Sequence, residues 1–123
     1  MKTNAINWFE IFVSDFERAK SFYENILARP LEPASMEGCQ MALLGQGGSE
    51  GTGGALTKME GQRPGPGGTL VYLDVEGDLD GVLQRIPKAG GKIIRDRMAI
   101  PPHGFIGIFE DLEGNIVGLH SMA

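Results

Sequence analysis

The sequence lacks a second cysteine and any long hydrophobic run. Cys39 is the only cysteine among 123 residues, so no intrachain disulfide can form, and a cytoplasmic location is expected. No stretch approaches the roughly 20 apolar residues that a membrane-spanning helix needs. The first three residues open onto a predicted strand instead of a signal peptide, so no membrane partner is predicted.

Basic residues are also scarce. The chain has eleven Lys and Arg residues and sixteen Asp and Glu residues, which gives a net charge of −5. The basic residues are scattered along the chain. Binding to a phosphate backbone requires a basic patch or stripe. The composition therefore excludes nucleic acid as a predicted partner.

The most informative stretch that is present is INWFEIFV, residues 6–13, which is apolar at nearly every position. Such a run predicts a strand that is covered on both faces. Because side chains alternate along a strand, one face is purely apolar and the other carries a single carboxylate among aromatic side chains. The apolar face, predicted to lie under a helix, has Phe9, Ile11 and Val13; the other has Trp8, Glu10 and Phe12.

A helix is predicted directly after this strand. Ser14 followed by Glu17 three residues later is typical of a capping box at a helix N-terminus. Apolar residues then recur at helical spacing and predict one buried stripe, made of Phe16, Ala19, Tyr23, Ile26 and Leu27. Prolines at positions 30 and 33 end the helix.

The rest of the first half predicts strands at 39–44 and 55–59, with a shorter strand within 31–36. Residues 45–54 form a glycine-rich run with neither the dinucleotide-binding fingerprint nor a P-loop, so it is a mobile flap or a plain surface loop. Residues 61–68, GQRPGPGG, cannot continue a helix or strand and predict a linker or exposed loop.

The second half repeats the order of the first. A strand at 69–75 is followed by a helix that starts at Gly77 or Asp78 and has its own apolar stripe. Strands follow at 92–95, 105–110 and 116–120, with a shorter one within 96–100, and Gly114 allows the last hairpin turn. The sequence thus predicts an α+β fold of two βαβββ modules (about 1–60 and 69–123, joined by 61–68) that form a curved mixed sheet around a cleft.

Three segments resemble the vicinal oxygen chelate superfamily, which includes glyoxalase I, bleomycin resistance proteins and extradiol dioxygenases. They are EIFVSDFERAKSFYENIL in the first module, TLVYLDV with its following helix ending in AGGKI, and the closing FEDLEGNIVGLH. Together they cover most of the chain except the glycine loops. The resemblance implies the same two-module fold and a ligand cleft.

The resemblance also implies where the metal ligands of the superfamily's enzymes would fall. The positions are Trp8, Leu70 and Gly118, with a fourth near Ala55 or Leu56. None of these side chains offers an oxygen or nitrogen donor to a divalent cation. No cofactor and no metal site are therefore predicted, while the predicted cleft is unaffected.

Moving two residues along a strand keeps a side chain on the same face, which leads from those positions to Glu10, Tyr72 and His120. Glu10 is predicted to be a catalytic base with its pKa raised by aromatic surroundings, and His120 to be its acid or partner. The predicted ligand-binding residues are Trp8, Phe12, Leu70, Tyr72 and Gly118. The alternatives are that Glu10 faces water or a dimer partner, that His120 merely ends a strand, and that the aromatic residues fill a subunit interface.

These observations favour a homodimeric protein that binds a small organic molecule in its cleft without a metal. The first alternative is a metal-dependent lyase or isomerase of glyoxalase type with displaced ligands, for which Glu10 and His120 alone are too few. The second alternative is a structural or regulatory subunit whose cleft is filled by its own side chains.

Overall fold

The computed structural model describes residues 4–47 and 51–123, which contain eight strands and two helices. In chain order they are β1 (Ile6–Phe12), α1 (Phe16–Leu27), β2 (Glu32–Pro33), β3 (Cys39–Gly45), β4 (Gly53–Met59), β5 (Thr69–Asp74), α2 (Leu79–Lys88), β6 (Lys92–Ala99), β7 (Phe105–Glu110) and β8 (Ile116–Ser121). This order confirms the predicted α+β class with two βαβββ modules. Neither helix in the described residues is long and apolar enough to span a bilayer.

The described residues group into two compact units. The first unit is Trp8–Leu70, and the second combines residues 4–7 with Val71–Ala123. In the first unit the strand order is β2-β3-β4-β1, with β1 parallel to β4 and the other neighbours antiparallel. In the second unit the order is β5-β8-β7-β6, with β5 parallel to β8 and the other neighbours antiparallel. Each unit therefore has one helix and a mixed sheet with one parallel pair.

The core of the first unit lies between its sheet and α1. Val13, Phe16 and the fully buried Leu56 belong to one buried cluster, and Ile11 packs against it. The alternation along β1 thus places Ile11 and Val13 under the helix, as predicted. The predicted stripe on α1 is too long, however, because Ile26 is 59% exposed and Leu27 is also exposed. The helix passes beyond the edge of the core in its last turn.

The N-terminus of α1 is capped by Asp15 and not by Ser14. The Asp15 side chain accepts a hydrogen bond from the backbone N–H of Arg18 at 3.2 Å. Asp15 has the extended backbone that an N-cap residue requires, which leaves Ser14 one position too early. The capping-box prediction was therefore wrong by one residue.

Replacing Asp15 with alanine is expected to destabilise the protein by about 1 kcal/mol, because the first turn of α1 loses a hydrogen-bond acceptor and a favourable charge. Urea denaturation followed by circular dichroism measures the effect. Ser14→Ala is the matched control and should leave the free energy of unfolding within about 0.5 kcal/mol of the original value. Equal losses from both variants would contradict the assignment of the cap.

The core of the second unit lies between its sheet and α2. Leu79, Leu83 and Leu119 form the buried cluster, and partly buried residues from β5, β6 and β7 pack against it. The sequence predicts two short strands at 92–95 and 96–100, whereas β6 is continuous from Lys92 to Ala99. Its pairing with β7 shifts register on both sides of Arg95. Those irregularities break the alternation that a single strand would show in the sequence.

Candidate functional site

The first unit has one sheet face turned away from α1, here called the helix-free face. On β1 it carries Trp8, Glu10 and Phe12, since Ile11 and Val13 lie on the α1 side. Directly paired residues share a face, so β4 contributes Gly53, Ala55 and Thr57 opposite these three. Met41 and Leu43 of β3 pair with Thr57 and Ala55 and complete the central part of the face.

Glu10 is the central polar group of the helix-free face. Its side chain is largely buried, and loss of hydration raises the pKa of the carboxyl group above its ordinary value. Hydrogen-bonding groups on Thr57 and Trp8 favour the ionised form and lower the pKa, but their combined effect is smaller than that of burial. Glu10 is therefore easier to protonate than an exposed glutamate, which is the property that the sequence analysis predicts for a general base.

Thr57 was missed by the sequence analysis. It is 0% exposed, and its Oγ1 makes no hydrogen bond of standard length and angle within the described residues, although it lies close enough to Glu10 to affect its pKa. Buried hydroxyl groups normally have a full hydrogen-bond partner. A polar residue in the otherwise apolar stretch GGALT was the available signal, but only the pairing of Phe12 with Thr57 places it near Glu10.

Glycines allow the β3–β4 connection to approach Trp8. A side chain at Gly53 would overlap the backbone of residues 45–47, so these residues lie directly over Gly53. Gly47 has φ +75, and a Cβ atom there would be 3.5 Å from the Trp8 ring. The predicted flap at 45–54 falls partly on residues 48–50, which lie outside the described residues. Its described part forms the wall of the helix-free face beside Trp8.

Phe12 and Leu70, both predicted ligand-binding residues, are buried in the first unit with 6% and 7% exposure. The backbone N–H of Phe12 donates to the carbonyl oxygen of Gly68 at 2.9 Å. This bond attaches the last residue of the glycine- and proline-rich loop to the C-terminal end of β1. Trp8 is half-buried and is therefore more accessible than Phe12.

The second unit also has a face turned away from its helix, and it carries Tyr72, Gly118 and His120. Tyr72 pairs with Gly118 across the parallel β5–β8 pair. The Tyr72 ring lies against Gly118 so closely that a Cβ atom at position 118 would overlap it. Glycine at this position is therefore required by the neighbouring aromatic ring.

Both ring nitrogens of His120 form hydrogen bonds within the second unit. Nε2 donates to the carbonyl oxygen of His103 at 2.6 Å, and Nδ1 accepts from Nδ2 of Asn7 at 2.8 Å. The carbonyl can only accept, so the neutral ring carries its proton on Nε2. The sequence analysis did not predict Asn7, which is 113 residues away from its partner. The His103 side chain itself is exposed, and its backbone carbonyl positions His120.

Two other residues with reactive side chains, Cys39 and Glu110, lie at the ends of strands. Cys39 begins β3 and lines a shallow depression with Met36, Lys58 and Met59. Glu110 ends β7 and is half-buried. Neither lies beside Glu10 in the strand pairing, and no group of three or more His, Cys, Asp or Glu side chains suited to a metal ion occurs in residues 4–47 and 51–123.

A sequence model of the glyoxalase/bleomycin resistance protein/dioxygenase superfamily matches residues 5–119. The chain belongs to this superfamily. The match confirms the resemblance drawn from the sequence motifs. A search of curated proteins gives no significant match to the chain.

Several solved structures share the fold of this chain at low sequence identity. Methylmalonyl-CoA epimerase from Mycobacterium tuberculosis is 17% identical, with a TM-score of 0.69 over 100% of this chain and 93% of that chain. A hypothetical protein from Bacillus halodurans is 15% identical, with a TM-score of 0.71 over 98% and 95% of the two chains. The Mn(II)-bound glyoxalase from Novosphingobium aromaticivorans is 20% identical, with a TM-score of 0.66 over 96% of this chain and 38% of that one.

The positions that correspond by resemblance to the superfamily's metal ligands offer no side chain that can bind a metal ion. Trp8 and Leu70 carry no lone-pair donor, and Gly118 has no side chain and is closed by the Tyr72 ring. Ala55 and Leu56, the candidates for the fourth position, are apolar and fully buried. These residues do not fit a divalent cation, which needs several oxygen or nitrogen donors.

Proposed function

We propose that this protein binds a small organic molecule on the helix-free face, around Trp8 and Glu10, without a metal ion. The observation that carries the proposal is the largely buried Glu10 carboxyl group beside the fully buried Thr57 hydroxyl group. Loss of hydration makes the ionised form of a buried carboxyl group costly, and carboxyl groups whose pKa is raised in this way are typical of binding and catalytic sites. A ligand with complementary polar groups would offset this cost.

The composition of the helix-free face supports an organic ligand. Trp8 and Leu43, which are half-buried, supply aromatic and aliphatic surface near the Glu10 carboxyl group, and the buried Phe12, Met41 and Ala55 make the rest of this part of the face apolar. Ligand sites in proteins are commonly apolar with a few polar groups that fix orientation. In this proposal Glu10 accepts a proton from the ligand, donates one to it, or accepts a hydrogen bond from it. The proposed active form of the chain is a homodimer.

A thermal-shift screen of a small-molecule library tests the proposal. A ligand at about 100 times its Kd stabilises the protein by about 2.7 kcal/mol. Hits should lose at least tenfold in affinity with Glu10→Ala or Trp8→Ala, measured by calorimetry. Glu37→Ala, in an exposed turn of the same unit, is the control and should bind as the original protein does. Unchanged affinity in both face variants would rule out this site.

Metal analysis separates the proposal from the metal-dependent lyase or isomerase. Protein purified without chelators is expected to contain well below one equivalent of zinc, nickel, iron or manganese. A full equivalent that is lost with Glu10→Gln would favour the enzyme with displaced ligands. A library that gives no stabilising compound would instead favour the structural or regulatory subunit.

A further inference from the structure

Both charged side chains that the described residues place on the helix-free face are carboxylates. Glu32 of β2 pairs with Leu43, Leu43 pairs with Ala55, and Ala55 pairs with Glu10, so both carboxylates project from the same face. They lie three strands apart, which corresponds to about 14 Å. Glu32 is exposed and accepts a hydrogen bond from Gln46, whereas Glu10 is largely buried.

The basic residues of the first unit lie elsewhere. Residues 8–47 and 51–70 contain five Lys and Arg residues, and none belongs to the helix-free face. Lys58 pairs with Gln40 on the α1 side, and Arg29 donates to the carbonyl oxygen of Leu44, whose side chain also faces α1. The others are on α1 or in the exposed loop before β5, namely Arg18, Lys20 and Arg63. Within residues 8–47 and 51–70, Glu10 thus has no cationic side chain on its own face.

A carboxylate that is largely buried without a counter-ion is costly, and an opposite charge nearby removes much of that cost. An aromatic ring beside the carboxylate adds a second attraction for a cation through its π face, with tryptophan the most effective. Trp8 provides such a ring, two residues from Glu10 on the same strand face. The Thr57 hydroxyl is fully buried, has no standard hydrogen bond to any described residue, and adds a polar group next to the carboxyl.

We infer, on the basis of the proposed function, that the ligand of the helix-free face is a flat organic cation, with Glu10 as its counter-ion and the Trp8 ring as its stacking surface. A neutral aromatic compound would use the ring but leave the carboxyl uncompensated. An aromatic anion would be repelled by both Glu10 and Glu32. The order of affinity is therefore cation, then neutral compound, then anion.

Three bicyclic probes of similar size test this order: the cation 1-methylquinolinium, the neutral 1-naphthalenemethanol and the anion 1-naphthoate. Calorimetry at pH 8 gives the affinities, and the fluorescence of Trp8, the only tryptophan, reports contact with its ring. The cation is expected to bind at least tenfold more tightly than the neutral probe. Glu10→Gln should abolish this preference while changing the affinity for the neutral probe by less than twofold.

Glu37→Gln is the matched control, since it removes the same charge from an exposed turn of the same unit. It should keep the full preference for the cation. Equal binding of cation and neutral probe by the original protein, or a preference that persists in Glu10→Gln, would overturn the inference but leave the proposed organic-ligand site intact. Failure of all three probes to bind also overturns it, and the library screen then decides the proposed function separately.

Discussion

Replacing Gly118 with glutamate is expected to destabilise the protein by about 3 kcal/mol. The superfamily resemblance places a metal-binding glutamate at this position, but the Tyr72 ring occupies the space that any Cβ atom would need. Overpacking a buried site costs about 1–3 kcal/mol, and a buried carboxylate adds to that cost. Urea denaturation of the purified variant measures the change in the free energy of unfolding.

Two further variants separate the Tyr72 contact from a general effect of glutamate on β8. Ile116→Glu changes an exposed residue on the same strand face and should cost less than about 1 kcal/mol. Tyr72→Ala combined with Gly118→Glu should be less destabilised than the sum of the single variants, because the smaller residue removes the overlap. Strict additivity, or a Gly118→Glu protein as stable as the original, would show that the ring does not exclude a side chain at position 118.

Glu10→Gln is expected to make the unliganded protein more stable at pH 8 and to lose that advantage as the pH falls. Burial raises the pKa of Glu10 in the folded state above its ordinary value in the unfolded chain. The folded state therefore binds the proton more tightly, and the contribution of Glu10 to stability is lost as the pH rises through the folded-state pKa. Glutamine stays neutral and avoids this loss.

The measurement is the free energy of unfolding of both proteins between pH 4 and pH 8. The difference between Glu10→Gln and the original protein should grow with pH above the unfolded-state pKa and become constant above the folded-state pKa. Glu37→Gln, which removes the same charge from an exposed turn of the same unit, is the matched control. A difference that is independent of pH would mean that Glu10 has the same pKa in both states.

The local sequence was sufficient to predict both helices, the order of helices and strands along the chain, and the direction of the side chains on β1. Side chains alternate between the two faces of a strand, and this rule applied to INWFEIFV was enough to place Trp8, Glu10 and Phe12 on the side away from α1. The last hairpin turn was also predicted from local sequence, and Gly114, which the sequence analysis placed in it, has a φ of 86°. Local patterns predicted the ends of α1 less exactly. The N-cap is Asp15 instead of the predicted Ser14, and Ile26 and Leu27 are exposed instead of buried.

The sequence by itself therefore determined the two-module fold and the position of Glu10 on the helix-free face, because both follow from periodicities within short segments. Only the tertiary structure decided which groups meet there. Thr57 beside Glu10, Tyr72 over Gly118 and Asn7 bound to His120 all depend on the register between strands that are far apart in the chain. That register is set by the packing of whole elements, which no single segment encodes.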